Sequence, residues 1–447
     1  MLLRKAVNLS KTKTRARENA DLLIVNADEL ITLAGANKKP RIGKQMRELG
    51  IINHGALAVK DGRIVAVGKT IEVTKAFKAE NVISANGKIV TPGFVDPHTH
   101  LVFAGFREEE FQMRVEGASY MEILSAGGGI LKTVRETRKA NIEKLVDSSL
   151  KRLDVMLEYG TTTVEAKSGY GLTTKDELKI LEAIKRVNQL HCVDVVPTFL
   201  GAHAIPPEYK SNPHDYVNLI VEETIPKVAE KRLAEFCDVF CEKNVFSLEQ
   251  SKRILVAGKN YGLKPKVHAD EMSTLGGAEL AADLGAVSAD HLLFASVEGI
   301  KAMANKGVIA VLLPAAAFSL MIGRYADARL MIDFGVPVAL GTDFNPNCLV
   351  ENMQLIIAFA CHLMKLTSAE ALTAATINAA HAIGMANEVG SLEVGKKADI
   401  TVLDVPNHKF LGYHFGVNLV DKVIKNGRIV IDKEASRSEF PIMKEEE

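Results

Sequence analysis

Residues 91 to 100 read TPGFVDPHTH, an apolar run that ends in His98-Thr99-His100. Side chains two apart in a strand point to the same face, so these imidazoles are spaced to share one divalent cation. Pro92-Gly93 opens the segment, Phe94 and Val95 are apolar, and Asp96-Pro97 interrupts regular pairing. The pattern predicts a buried strand whose end opens into a site. Two later segments end the same way: KPKVHADE carries His268, and VPVALGTD carries Asp343. Three imidazoles and one carboxylate suit zinc or ferrous iron, with a position left for water. Polar residues following separate strands converge at one rim of a (β/α)8 barrel.

The rest of the chain supplies the other strands. FVDPHTHLVF, TTTVEAKSG, DVVPTFLGAH, CDVFCEK, KPKVHADE, AVSADHLLF, GVIAVLLPA and VPVALGTDFN alternate with amphipathic runs such as KDELKILEAIKRVNQL. Eight alternations over about 290 residues predict an α/β fold, a TIM-type (β/α)8 barrel. Residues 21–91 instead read as short strands, with a hairpin signal at Asp61-Gly62. Residues 390–447 repeat that texture around Asn426-Gly427 and end in an acidic tail. The expected organisation is therefore a flexible basic tail (1–20), a barrel (92–389) and a small discontinuous β-sandwich domain (21–91 with 390–447). The segment SAEALTAATINAAHAIG reads as one amphipathic helix, with His381 structural.

Composition excludes several classes. Lys plus Arg equals Asp plus Glu at 55 each, so no global field recruits nucleic acid or anionic membrane. No apolar stretch reaches membrane-spanning length, and the basic first twenty residues lack the apolar core of a secretory signal. Five irregularly spaced cysteines predict reduced thiols and a cytoplasmic enzyme, with Cys237 and Cys241 as packing residues. Gly68-Lys69-Thr70 resembles the end of a phosphate-binding loop. The leading glycine would be residue 63, which is Arg, and a hairpin with no following helix is expected there. Gly127-Gly128-Gly129 reads as a loop near the barrel mouth.

With PGFVDPHTH, VHADE, ADHL and GTDFNP in order, residues 21 to 431 resemble the amidohydrolase superfamily. Within it, the chain is similar to the imidazolonepropionase family through HTHLVFAG leading to Arg107, FQMRVEGASYMEILSAGGGI, EAKSGYGL, FLGAHAIPPEY and GTDFNPN. The resemblance implies hydrolysis of the cyclic amide of 4-imidazolone-5-propanoate to N-formimino-L-glutamate, a step of histidine degradation. It implies one divalent metal ion per subunit, Zn2+ or Fe2+, on His98, His100, His268 and Asp343. A cation there would lower the pKa of water from about 15.7 to about 7. Glu271, His291 and Asp343 would handle protons and polarise the carbonyl. Arg107 would bind the substrate carboxylate, with Tyr170, His203, Glu271 and Asn345 around ring and tail. A homodimer follows from the same likeness. Asn347-Cys348 depart from the Gly and Ser or Thr more usual after the Asn-Pro pair.

Residue types alone leave blander readings open. Arg107, followed by three Glu, also reads as a surface charge cluster, and Tyr170 between glycines as a loop residue. His203 and His291 also read as hydrogen-bonded core histidines, and Asn345-Pro346 as a turn. Lys167 near a strand end raises a carboxylated lysine bridging two metals, against the mononuclear reading the resemblance favours. Rival functions are another cyclic amidase or a deaminase on the same scaffold, and an inactive scaffold. Retention of all four ligand residues speaks against the last.

Overall fold

Eight parallel strands lie in sequence order in one sheet: Phe94–Asp96, Thr161–Lys167, Asp194–Ala202, Phe236–Cys241, Lys264–Ala269, Ser288–His291, Ile309–Leu312 and Val338–Leu340. Seven fall within segments read from the sequence, and Phe236–Cys241 begins one residue ahead of its segment, CDVFCEK. Beyond the first and last strands, a bridge between Thr99 and Phe344 joins the edges and closes the barrel. The computed structural model describes residues 17–118, 122–123 and 126–434. Most of the basic tail and the acidic end lie outside the described residues, as does part of the segment from Phe111 to Ile130. Glu18–Asn19, expected to be tail, pair with Phe77–Lys78.

Two-residue alternation sorts the barrel's side chains. In Thr161–Lys167, Val164 and Ala166 join the apolar core, while Glu165 and Lys167 meet buried polar groups of other strands. Cys237, Val239, Val267, Ala269 and Ala289 join the same core, leaving Asp238, Lys266, His268 and Asp290 on the opposite faces of their strands. The barrel interior thus carries a layer of charged groups inside an apolar shell.

The terminal segments form a second sheet whose strands run in one path from Arg428–Asp432 through Val420–Lys425, Ile400–Leu403, Ile89–Pro92, Leu22–Ile31 and Ile51–Lys60 to Arg63–Lys69. Leu22, Ile24, Leu57, Val59, Val90, Ile400, Val402 and Ile424 share one core. Both expected hairpins form. Asp61 and Gly62 have φ of 50° and 74°, and Asn426 and Gly427 have 49° and 77°, the left-handed pair that a two-residue turn needs. The turns also meet: a Cβ on Gly62 would stand 3.0 Å from the Asn426 carbonyl oxygen.

Two local expectations fail. A helix, Thr70–Ala76, does follow Gly68-Lys69, capped by the Glu72 carboxylate, which accepts from the Lys69 N–H. Arg63 still occupies the position a phosphate loop would give to glycine. The late helix is two helices, Ser368–Ala374 and Ile377–Ala382, because Thr376 leaves helical geometry at φ −133° and ψ −97°. Its hydroxyl donates to the Leu372 carbonyl, and Asn378 bonds across to Arg41 and Val338. Such tertiary partners compete with a continuous helical ladder. His381, as expected, is structural, sharing a hydrogen bond with the Ala36 carbonyl. Among the described residues no helix is long and apolar enough to cross a membrane.

Glu370 anchors this region. Its carboxylate accepts from Thr367 N–H and from Arg329 and Arg47, with its own side chain 1% exposed. Burial alone would raise its pKa, but Arg329, the Thr367 N–H and Arg47 outweigh it and hold the group at about 2. A depressed folded-state pKa contributes stability above the unfolded value near 4.5, lost as pH falls through about 2. Glu370→Gln should therefore cost about 2 kcal/mol at neutral pH. In urea unfolding across pH, the difference from wild type should shrink below pH 4.5. A pH-independent difference would contradict this assignment.

Candidate active site

The first barrel strand ends at Asp96, earlier than the sequence suggested, so His98 and His100 lie on the extended segment beyond it. The Thr99 bridge keeps that segment in register with the end of the last strand: His100 N–H donates to the Phe344 carbonyl, and Asp343 N–H to that of His98. Both imidazoles consequently face Asp343. Its Oδ1 is 3.5 Å from His98 Nε2 and 3.4 Å from His100 Nε2. His268 arrives from the fifth strand, its ring 4.6 Å from that of His98. His291 ends the sixth strand, 5.2 Å from His268 between ring centroids.

Atoms able to ligate a metal gather, among the described residues, in two groups that share His98. One holds His98, His100 and Asp343; the other holds His98, His268 and His291. Among the described residues, His98 Nε2, His268 Nε2, both nitrogens of His291 and Asp343 Oδ1 are buried without a hydrogen-bond partner. Buried polar atoms are ordinarily paired, and this many unpaired nitrogen and oxygen atoms close to one another fit a cation. Burial holds the pKa of His98 and His100 far below the ordinary imidazole value and that of His291 at about 3. Neutral imidazole is the form that ligates. Burial would lower His268 too, but the Asp238 carboxylate outweighs it.

Beneath the imidazoles lies the charged layer. Asp290 Oδ2 is 2.6 Å from His98 Nδ1 and also faces Lys167 Nζ at 3.6 Å. Asp238 Oδ2 is 3.0 Å from His268 Nδ1 and accepts from Lys167 Nζ at 2.9 Å. Lys167 also donates to Glu165, which takes a second ammonium from Lys266. With one ring nitrogen against a carboxylate, His98 and His268 each turn the other toward the site. Burial would lower the Lys167 pKa, but Asp238, Glu165 and Asp290 raise it well above the usual lysine range. Asp238 and Asp290 were not singled out from the sequence. Their signal was an acid at an inward position of a strand whose neighbours are apolar.

Three of these strand ends turn through left-handed backbone: Asp270, His291 and Asp343 have φ of 49°, 75° and 49°. Such conformations persist where surroundings over-determine them. Asp270 shows how: its carboxylate accepts from the N–H groups of Leu275, Gly276, Gly277 and Ala278, seating the helix Gly277–Leu284.

A cavity of about 280 Å³ opens above the imidazoles, and Arg107, Tyr170, His203, Glu271 and Asn345 all line it. His203 stacks on His100 at 4.9 Å and shares a hydrogen bond with the Gly169 carbonyl. A Cβ on Gly169 would stand 2.9 Å from His203 Nδ1, which is why EAKSGYGL needs glycine there. Glu271 faces His291 at 3.7 Å, and burial with the nearby Asp343 charge raises its pKa to about 8. Asn345 touches the cavity, yet its amide donates to the Asp343 carbonyl and its carbonyl accepts from Asn347 N–H, the turn that its residue type suggested. Arg107 is not a surface charge: its side chain is 9% exposed and pairs with Glu110 at 2.8 Å. The atypical Asn347 accepts from Arg114, which also donates to the Ser319 carbonyl. Phe294, Leu320 and Ile322 form an apolar wall that sequence reading did not assign.

Comparison with known proteins agrees with this architecture. A model of the amidohydrolase family matches residues 89–430. A crystal structure of an adenosine deaminase from Xanthomonas campestris with bound zinc superposes with a TM-score of 0.69 at 19% identity, covering 95% of this chain and 98% of that one. A triazine hydrolase variant gives 0.70 at 17%, covering 92% and 95%. At these identities the likeness concerns fold alone. Imidazolonepropionase of Geobacillus sp. (strain WCH70) is 56% identical over 92% of this chain and 98% of its own length. That of Alkaliphilus metalliredigens (strain QYMF) is 52% identical with the same coverage. The chain belongs to the amidohydrolase family and, within it, to the imidazolonepropionases.

Proposed function

We propose that this protein hydrolyses the cyclic amide C–N bond of 4-imidazolone-5-propanoate to N-formimino-L-glutamate, a step of histidine degradation. The observation that carries the reading is a half-buried arginine, Arg107, in the same cavity as a cluster of unpaired imidazoles and a carboxylate. Relatives more than half identical over nearly their full length bear the name of that activity. His98, His100, His268 and Asp343 would hold one Zn2+ or Fe2+, both of which suit an imidazole and carboxylate set. The ion supplies Lewis acidity that makes water nucleophilic at neutral pH and polarises a carbonyl.

The chain's own residues do the rest. Arg107 binds the propionate, since a planar guanidinium matches a carboxylate with paired hydrogen bonds. Tyr170 and His203, packed with centroids 5.2 Å apart, border the ring. Asn345 braces the loop that presents Asp343. Glu271 and His291, with Asp343, move the proton that water loses to the ring nitrogen that leaves. The apolar wall limits water around the reacting bond. Lys167 supports a single metal ion: an ammonium held by three carboxylates is no substrate for carboxylation. Five free thiols are stable in the cytoplasm, where we place the activity.

The direct test is loss of the imidazolone's ultraviolet absorbance on adding purified protein of known metal content. One ion per chain is expected, and two ions, one of them lost in Lys167→Ala, would refute the mononuclear reading. Asp290→Asn should weaken metal binding by about 10- to 100-fold in a chelator competition, because His98 loses its orienting partner. Arg107→Ala should lower kcat/KM for the propionate by roughly 100-fold and leave the descarboxy analogue nearly unchanged. Equal treatment of both compounds by both proteins would remove the clamp role.

A further inference from the structure

Arg107 enters the cavity already engaged. Its Nε and Nη2 both reach Glu110 Oε2, at 2.9 and 2.8 Å. The second carboxylate oxygen, Glu110 Oε1, accepts from the Gly129 N–H at 3.0 Å. Glu110 is 3% exposed, although it lies in a run of three glutamates that reads as a solvated face. No described residue accepts from Arg107 Nη1. A guanidinium offers five donors in a fixed plane, so holding the Nε edge leaves the Nη1–Nη2 edge for a ligand.

The glycine loop is built to meet this carboxylate. Gly127 and Gly129 have φ of 82° and 77°. Gly128 is ordinary in φ but crowded: a Cβ there would stand 3.0 Å from Glu110 Cδ and 2.9 Å from the Ile123 carbonyl oxygen. The loop packs directly on Glu110, and the helix Ile130–Lys139 follows it.

We propose that Glu110 is a positioning residue that aims Arg107, and that the Gly127–Gly129 loop fixes Glu110 from behind. A lone arginine at the N-cap of the short helix Glu108–Val115 would sample many rotamers, most of them mispositioned for a carboxylate. Anchored at Nε and Nη2, it presents one edge to the cavity before substrate arrives, which lowers the ordering cost of binding. The selectivity for a carboxylate-bearing substrate then resides in three elements, Arg107, Glu110 and the loop. This proposal rests on the reading of Arg107 as the carboxylate clamp.

The test compares 4-imidazolone-5-propanoate with its descarboxy analogue in wild type, Glu110→Gln and Gly128→Ala. Glu110→Gln keeps the shape but loses the charge, and one of its two ends must present the wrong group to its partner. KM for the propionate should rise on the order of 10- to 100-fold with kcat within about threefold, while the analogue's kinetics hardly change. Gly128→Ala, which displaces Glu110 without touching Arg107, should reproduce that pattern. A fall in kcat for both compounds, or an unchanged KM in both variants, overturns the proposal. If wild type itself treats the two compounds alike, the clamp reading fails first, and this proposal fails with it.

Discussion

An ammonium buried among carboxylates sets the conditions for everything at the barrel mouth. Lys167 is fully buried and bonded to Glu165 and Asp238, with Asp290 close by. Removing one partner from such a cluster is costly, because the remaining charge has no water to turn to. The cluster therefore fixes Asp238 and Asp290, and these hold His268 and His98 by one nitrogen each. Three carboxylates, Glu165, Asp238 and Asp290, outnumber the two ammoniums of Lys167 and Lys266 in this layer, and Asp343 above adds a fourth. That excess favours a cation, as the unpaired imidazole nitrogens do.

The second organising constraint is chain direction. All eight strands of the barrel are parallel, so their ends reach one rim, and residues far apart in sequence become neighbours. Arg107, Tyr170 and His203 follow the first three strands, and Glu271, His291 and Asp343 come from the fifth, sixth and eighth. The small sheet contributes no residue to the cavity. Its terminal strands instead flank the barrel, with Gly93 N–H donating to the Asp399 carbonyl and Thr401 donating to that of Gly160.

Much of this was legible because period and punctuation agree. Alternating apolar strands and amphipathic helices give the barrel, and Asp61-Gly62 and Asn426-Gly427 mark their turns. Residue pairs set by local geometry, such as His98 and His100, were equally visible, although the strand carrying them ends sooner than supposed. What stayed hidden depends on tertiary partners. Asp238 and Asp290 look like any strand acid until Lys167 lies between them. The break at Thr376 follows from bonds to Arg41 and Val338 that no local propensity encodes. Glu110 is indistinguishable from Glu108 and Glu109 in sequence, and only the fold separates the buried one from its neighbours.

The meeting of the two tight turns, Asp61-Gly62 against Asn426-Gly427, has a bearing on synthesis. The strands made first at the ribosome share their core with strands made last, across the whole barrel. Early segments such as Ile51–Lys60 must wait, with apolar surface uncovered, until the carboxyl-terminal strands emerge. Assembly of this layer therefore waits until the barrel segment between its two halves has been made, and a nascent chain halted before Ile400 leaves an open edge that invites aggregation.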